Sequence, residues 1–217
     1  MECIAEIKNV SKKFGDETVV REVSLSLDAG KIYGIAGRNG SGKTVLFKMI
    51  IGFLKPTTGR IFVNGKEIGK NTDFAEDTGI IIETPGFLGA FSGYKNLEYL
   101  AAIKKQIGKD EIRRSMELVG LDPASRKKVK KYSLGMRQRL GIAQAIMEHP
   151  KFLVLDEPMN GLDREGVAEI RELFLKLKKE GTTILLSSHH REDMEELCDK
   201  VFEMEDGCLK CLKNRAF

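Results

Sequence analysis

Apolar and polar positions along the chain fall into three patterns. Residues 2–8 and 22–28 alternate between the two, as do Ile61 and Val63 just before Asn64-Gly65, a hairpin signal. Alternation marks strands with one wet face, so these segments predict a small antiparallel sheet. Residues 31–36 are a short, mostly apolar run that predicts a further strand. Residues 78–82, 152–155 and 183–186 are continuous apolar runs, as expected of parallel strands covered on both faces, and predict a second, deeper sheet. Helical spacing of apolar residues appears at 45–54, 94–106, 110–119 and 134–147, and an amphipathic helix is expected at 164–179. Between residues 82 and 152 there is helical periodicity and no clear strand. The pattern predicts one domain over 1–217 of α/β class. Its core and antiparallel β subdomain comprise 1–85 and 150–217, and a helical subdomain is inserted at 86–149.

Composition narrows the picture only a little. A chain of 217 residues with 41% hydrophobic and 31% charged residues has the make-up of a globular protein. A net charge of +4, from 36 basic against 32 acidic residues spread along the chain, is too weak a bias to argue for nucleic acid. No stretch of about 18 uncharged apolar residues occurs, and Met1-Glu2-Cys3 opens directly into a strand-like segment. The expectation is a cytosolic chain that reaches a membrane only through a partner. Cys3, Cys198, Cys208 and Cys211 make no disulfide framework at this length. Cys208 and Cys211 have C-x-x-C spacing, but lack the second pair or histidine of a zinc site, so they are expected to be small apolar residues.

Two further segments carry open readings. Phe87, Leu88 and Phe91, among Gly86, Gly89 and Gly93, are either a docking surface or packing beneath the helical lobe. Arg126-Lys127-Lys128-Val129-Lys130-Lys131 is a solvated loop or a contact for phosphate or lipid.

The chemistry begins with Gly37-Arg38-Asn39-Gly40-Ser41-Gly42-Lys43-Thr44, set between a strand and a helix. This is a phosphate loop (Walker A). Its three glycines let successive N–H groups converge on phosphate oxygens, and the following helix adds its positive end. Lys43 is expected on the β- and γ-phosphates and the Thr44 hydroxyl on Mg²⁺. Residues 152–155 then lead into Asp156-Glu157, at the carboxyl end of a buried strand, where α/β sheets bind ligands. Asp156 is expected to hold Mg²⁺, directly or through water. Glu157 is expected to polarise the water that attacks the γ-phosphate. An acidic pair after a strand is otherwise a turn or cap, and the phosphate loop in the same chain decides against that.

Five more stretches, in order, complete a resemblance to the nucleotide-binding subunit of ABC transporters, from about Ile4 to about Leu212. Tyr132-Ser133-Leu134-Gly135-Met136-Arg137-Gln138-Arg139-Leu140 is similar to the family signature. Asn160-Gly161-Leu162-Asp163 is similar to the D-loop, and Ser187-Ser188-His189 to the H-loop with its switch histidine. Phe14 falls where the family stacks an aromatic on adenine, and Glu83 falls at the Q-loop. Ser133 also reads as a helix N-cap, and Asp163 as the cap of the helix after it.

The resemblance implies an ATPase with ATP and Mg²⁺ as cofactors. Glu157 and His189 would be catalytic; Phe14 and residues 37–44 would bind ATP; and Thr44, Asp156 and Glu83 would hold the metal. It implies two shared sites in a homodimer or heterodimer, with Ser133, Gly135 and Asp163 facing the partner's nucleotide. It also implies an integral membrane permease as partner, with this chain cytoplasmic and peripheral at the cytoplasmic face of the membrane. Two departures stand out: Glu83 replaces the usual Gln, and Leu134 and Met136 replace Gly and Gln. Together they resemble a branch serving export of, or immunity to, antimicrobial peptides such as bacitracin and lantibiotics. The competing reading is a soluble ABC-type ATPase acting on ribosomes or DNA, whose members usually have two cassettes in one chain or a long coiled-coil insertion. A small phosphate-loop GTPase would carry N-K-x-D, which is absent from the sequence.

Overall fold

A computed structural model describes residues 2–83 and 86–212. The strands are β1 (Cys3–Phe14), β2 (Glu17–Asp28), β3 (Ile32–Ala36), β4 (Thr58–Val63), β5 (Lys66–Glu67), β6 (Thr78–Ile81), β7 (Phe152–Leu155), β8 (Thr183–Ser187), β9 (Lys200–Glu205) and β10 (Cys208–Leu212). The helices are α1 (Lys43–Ile50), α2 (Gly93–Lys104), α3 (Lys109–Leu118), α4 (Leu134–Ile146), α5 (Arg164–Lys179) and α6 (Arg191–Leu197), with a single 3₁₀ turn at Val129–Lys131. The expected core-to-insertion boundary after residue 85, and positions 1 and 213–217, lie outside the described residues.

The two sheets expected from the two strand patterns are both present. One has the order β2-β1-β4-β5 and is antiparallel throughout. Its Asn64-Gly65 turn has positive φ at both residues, which that hairpin type requires. The other has the order β10-β9-β3-β8-β7-β6, with β9, β3, β8, β7 and β6 mutually parallel. Alternate residues of its strands feed different cores. Leu153, Leu155, Ile184 and Leu186 face α4, α5 and α6. Phe152, Val154 and Leu185 face α1 and, beyond it, the antiparallel sheet. A strand buried on both faces has no polar face to alternate with, which is why these segments read as continuous apolar runs.

Strands β1 and β2 run well past the predicted segments to meet at a turn beside Phe14. Register shifts between Ile7 and Val10 and between Val10 and Lys12 break the alternation in the middle of β1, hiding its second half from a period-two reading. Strands β9 and β10 also fall outside the pattern-based expectation, although Asp206-Gly207 carries the same signal as Asn64-Gly65. Cys208 and Cys211 lie on β10, the first half-buried and the second exposed. Residues three apart on a strand point to opposite faces, so the C-x-x-C spacing joins nothing.

The predicted helices hold to within a few residues. Helix α4 packs on β6 so closely that a Cβ on Gly79 would lie 2.0 Å from the Ala145 carbonyl oxygen. Phe87 packs against the core while Leu88 and Phe91 are exposed, so the cluster divides between the two readings. In the basic run, Val129 is buried and its N–H donates to the Phe91 carbonyl, while the lysines around it stay exposed. No helix among the described residues is long and apolar enough to cross a membrane.

Gly79→Ala therefore forces a methyl into a helix backbone. It should lower stability by roughly 1–3 kcal/mol, read as a reduced midpoint in urea unfolding; an unchanged midpoint would show that α4 can stand off from β6.

Candidate functional site

Because β3, β8, β7 and β6 are parallel, the segments that follow them emerge along one edge of the sheet. Those segments are the glycine loop, Ser188-His189, Asp156-Glu157 and Glu83. The register places Ile35 beside Ser187 and Leu155 beside both Leu186 and Ile81. Chain topology alone has brought four separated segments together.

The loop from Gly37 to Gly42 is held tightly. Gly42 has φ 105° and precedes α1; a Cβ there would lie 2.8 Å from the Val19 carbonyl oxygen and 2.9 Å from Met204 Cε. Gly37 sits similarly close to the Met204 carbonyl, so the loop is clamped between β2 and β9. Lys43 is buried and folds back, its Nζ donating to the carbonyls of Gly37 at 2.7 Å and Arg38 at 3.0 Å. The loop is thus preorganised, with its ammonium already inside it.

The hydroxyl of Thr44 donates to Asp156 Oδ2 at 2.5 Å, and that of Ser187 donates to Asp156 Oδ1 at 2.5 Å. The Ser187 oxygen also accepts the Glu157 N–H at 2.9 Å. Glu157 has φ 49°, a strained conformation for a residue with a side chain, and its Oε2 accepts a hydrogen bond from His189 Nδ1 at 2.9 Å. An ionised carboxylate only accepts, so that bond uses a proton on Nδ1 and leaves His189 Nε2 for another partner.

Among the described residues, two buried side-chain polar atoms have no hydrogen-bond partner, Ser41 Oγ and Glu157 Oε1. Buried polar atoms are nearly always paired. That both exceptions fall in the phosphate loop and the acidic turn fits a site shaped for an oxygen-rich ligand. A hydroxyl and one carboxylate are also a fitting donor set for Mg²⁺, which takes one or two carboxylates and completes its shell with phosphate and water. No group of three or more acidic, histidine or cysteine side chains stands ready as a metal cage among the described residues.

The remaining expected residues divide. Phe14 is an exposed ring with the Lys12 ammonium 5.1 Å from its centroid. Glu83 is 65% exposed, and its carboxylate accepts from Lys48 Nζ at 2.6 Å, one helical turn beyond Thr44. Ser133 caps α4 by accepting the Met136 N–H at 3.1 Å, and Asp163 caps α5 by accepting the Gly166 N–H at 2.9 Å. A Cβ on Gly135 would lie 2.9 Å from the Gly161 carbonyl, so signature and D-loop pack on each other. Among the described residues no hydrogen bond or ion pair joins Ser133, Gly135 or Asp163 to the phosphate loop. They form a second, outward cluster.

Sequence reasoning gave no individual role to Lys48, Gln138 or Ser187. Gln138 is buried on α4, and its Nε2 donates to the carbonyls of Pro158 at 2.9 Å and Glu157 at 3.3 Å, tying the signature helix to the acidic turn. The available signal was polarity: Ser187 ends a fully apolar run and Gln138 falls among buried positions, where polar groups need partners.

Comparison with known proteins agrees with this geometry. Residues 20–160 match the ABC transporter family. The bacitracin transport ATP-binding protein of Enterococcus faecalis is 44% identical over 211 residues, covering 96% of this chain and 68% of the relative. The lantibiotic transport ATP-binding protein of Streptococcus pyogenes is 36% identical over 202 residues, covering 93% and 87%. Among solved structures, an ATP binding subunit of an ABC transporter superposes with a TM-score of 0.85 at 27% identity, covering 96% of this chain and 90% of the other. A dimeric ATP-binding cassette in a post-hydrolysis state, bound to ADP and Pi, superposes with a TM-score of 0.85 at 21% identity, covering 97% and 99%, a likeness of fold.

Removing the Ser187 hydroxyl strips one bond from Asp156 and leaves the Glu157 N–H unpaired. Ser187→Ala should therefore cost about 1–3 kcal/mol of stability, seen as a lower urea midpoint at unchanged slope; a wild-type midpoint would mean the hydroxyl does not bridge the two carboxylate residues.

Proposed function

The chain belongs to the ABC transporter family as an ATP-binding, ATP-hydrolysing subunit, and from that premise we propose how its residues divide the work and what the work drives. The observation that carries the reading is the continuous run of contacts from Thr44 through Asp156 and Ser187 to Glu157 and His189, together with the two buried atoms left without a hydrogen-bond partner, Ser41 Oγ in the loop and Glu157 Oε1 in the run.

In this reading the N–H groups of residues 37–44 cradle the triphosphate, and Lys43 exchanges the Gly37 and Arg38 carbonyls for β- and γ-phosphate oxygens. Phe14 stacks on the adenine. Thr44 and Asp156 would hold Mg²⁺, which when bound would offset phosphate charge. Glu83 is engaged with Lys48 through Oε1, which leaves its other oxygen as the one that would join that set. Glu157 Oε1 takes a proton from the attacking water as the bond from the γ-phosphorus to the bridging oxygen breaks and ADP leaves with the electron pair. His189, held on Glu157 through Nδ1, turns Nε2 toward the γ-phosphate. Most of the acceleration in such a reaction comes from positioning and charge stabilisation.

Ser133, Gly135 and Asp163 complete the site of a second cassette. Their outward cluster, and the dimeric state of a solved cassette with this fold, support two chains closing head to tail over two nucleotides. Symmetric pairing of identical chains is the default arrangement. The chain works at the cytoplasmic face of a membrane on a separate permease. Support comes from the relatives, both transport ATP-binding proteins, and from exposed apolar side chains on the helical lobe: Leu88 and Phe91 ahead of α2, the latter's ring against Tyr99, and Tyr99 and Ile103 one turn apart on α2. The relatives' bacitracin and lantibiotic substrates support a role in export of, or immunity to, antimicrobial peptides.

Glu157→Gln should bind ATP normally and lose about 10²- to 10⁴-fold in turnover, the usual worth of a general base. Near wild-type turnover would remove Glu157 from the chemistry. When the tagged chain is recovered from its native cells in mild detergent, a multi-spanning membrane protein should accompany it in stoichiometric amount; recovery with ribosomes or nucleic acid and no membrane protein would overturn the permease reading.

A further inference from the structure

His189 is an exposed side chain, with one hydrogen bond, to Glu157, and a ring neighbour in His190 at 4.1 Å. A side chain so lightly held takes its direction from its backbone, and the backbone around it is clamped from two sides. Before it, Ser187 is bound to Asp156 and to the Glu157 N–H. Next to it, Ser188 is 2% exposed; its hydroxyl donates to Asp193 Oδ2 at 2.6 Å, and its oxygen accepts the His190 N–H at 3.0 Å. That single hydroxyl spans the residues on either side of His189.

Asp193 is itself fixed. It lies on α6, 2% exposed, and its other oxygen accepts two N–H groups from Arg171 of α5, at 2.6 and 3.1 Å. Arg171 also donates to Glu196 at 2.5 Å. Burial works against the guanidinium charge, yet the bonds to Asp193 and Glu196 hold its pKa above the ordinary arginine value. An ion pair buried this deeply is weak evidence for stability, because desolvating both charges offsets most of their attraction. What the pair does secure is geometry: each lone pair and N–H fork has one place to go, and the last link is the loop that carries His189.

We infer that Ser188, Asp193 and Arg171 are positioning residues for ATP hydrolysis, acting through the backbone of residues 188–190 to aim His189 at the reacting phosphate. The inference rests on the role given to His189 above. Loss of the clamp leaves the nucleotide cradle of residues 37–44 untouched, since none of the three side chains bonds to it. The effect therefore falls on kcat and not on the KM for ATP.

The test is a double-mutant cycle on the purified full chain, with ATP turnover followed across ATP concentrations and folding checked by thermal melting. Ser188→Ala should lower kcat by about 10- to 100-fold, the scale of a misplacement near 1 Å, with KM within about twofold of wild type. In a His189→Ala background the same substitution should leave the residual rate unchanged, because the group being aimed is gone. Asp193→Asn, which keeps the shape and removes the charge, should repeat the pattern and serves if the serine variant folds poorly. Equal losses in both backgrounds, or a raised KM at retained kcat, would overturn the positioning role while leaving His189 in place. Wild-type turnover in His189→Ala alone would overturn the role of His189 and this proposal with it.

Discussion

The Asp156 carboxylate is the interaction on which the site depends. It is barely accessible, and each of its oxygens is taken by a hydroxyl from a different element, Thr44 at the start of α1 and Ser187 at the end of β8. A buried carboxylate is costly unless both oxygens are satisfied, so the two hydroxyls and the strand that carries Asp156 must arrive together or not at all. One charge therefore sets the spacing between the phosphate loop, the acidic turn and the histidine loop. Breaking either contact would strand a polar group inside the sheet's edge.

The layers of the fold serve that convergence. Helix α1 is buried between the antiparallel sheet and the parallel one, so the loop preceding it is gripped by β2 on one side and β9 on the other. Helices α4, α5 and α6 cover the opposite face, and two of them reach back to the site through buried polar side chains. Gln138 of α4 holds the carbonyls of the acidic turn, and Arg171 of α5 holds Asp193 of α6. Apolar packing fixes where the layers lie; a handful of hydrogen bonds within them fixes where the reactive atoms lie.

The two departures from the family pattern take on physical meaning in this arrangement. The negative charge of Glu83 is met by Lys48, so it does not stand as a bare like charge beside phosphate. The pair is partly exposed, and its strength will depend on salt and on what docks nearby. Leu134 is half exposed and lies against Gly161, so the apolar side chain that replaces glycine in the signature is accommodated by the D-loop. Met136 lies 3.6 Å from the Lys127 ammonium through its sulfur, which places part of the basic run beside the signature.

Hydrophobic patterning by itself determined the existence of both sheets, the kind of each, and five of the six described helices to within a few residues, because burial on one face or two leaves a readable pattern; the short α6 (Arg191–Leu197) lay outside that expectation. Local motifs determined the phosphate loop, the acidic pair and the two capping residues, since glycine conformation and carboxylate placement are properties of short stretches. The second half of β1 and the β9–β10 hairpin were legible only weakly, the first because register shifts erase the alternation and the second because its strands are short and half exposed. What tertiary structure alone decided is which polar side chains bond directly to one another. Lys48 and Glu83 are 35 residues apart, Thr44 and Asp156 are 112 apart, and Arg171 and Asp193 are 22 apart. No local period encodes such pairings; they follow from parallel strands delivering their carboxyl ends to one edge and from the requirement that polar groups buried there find partners.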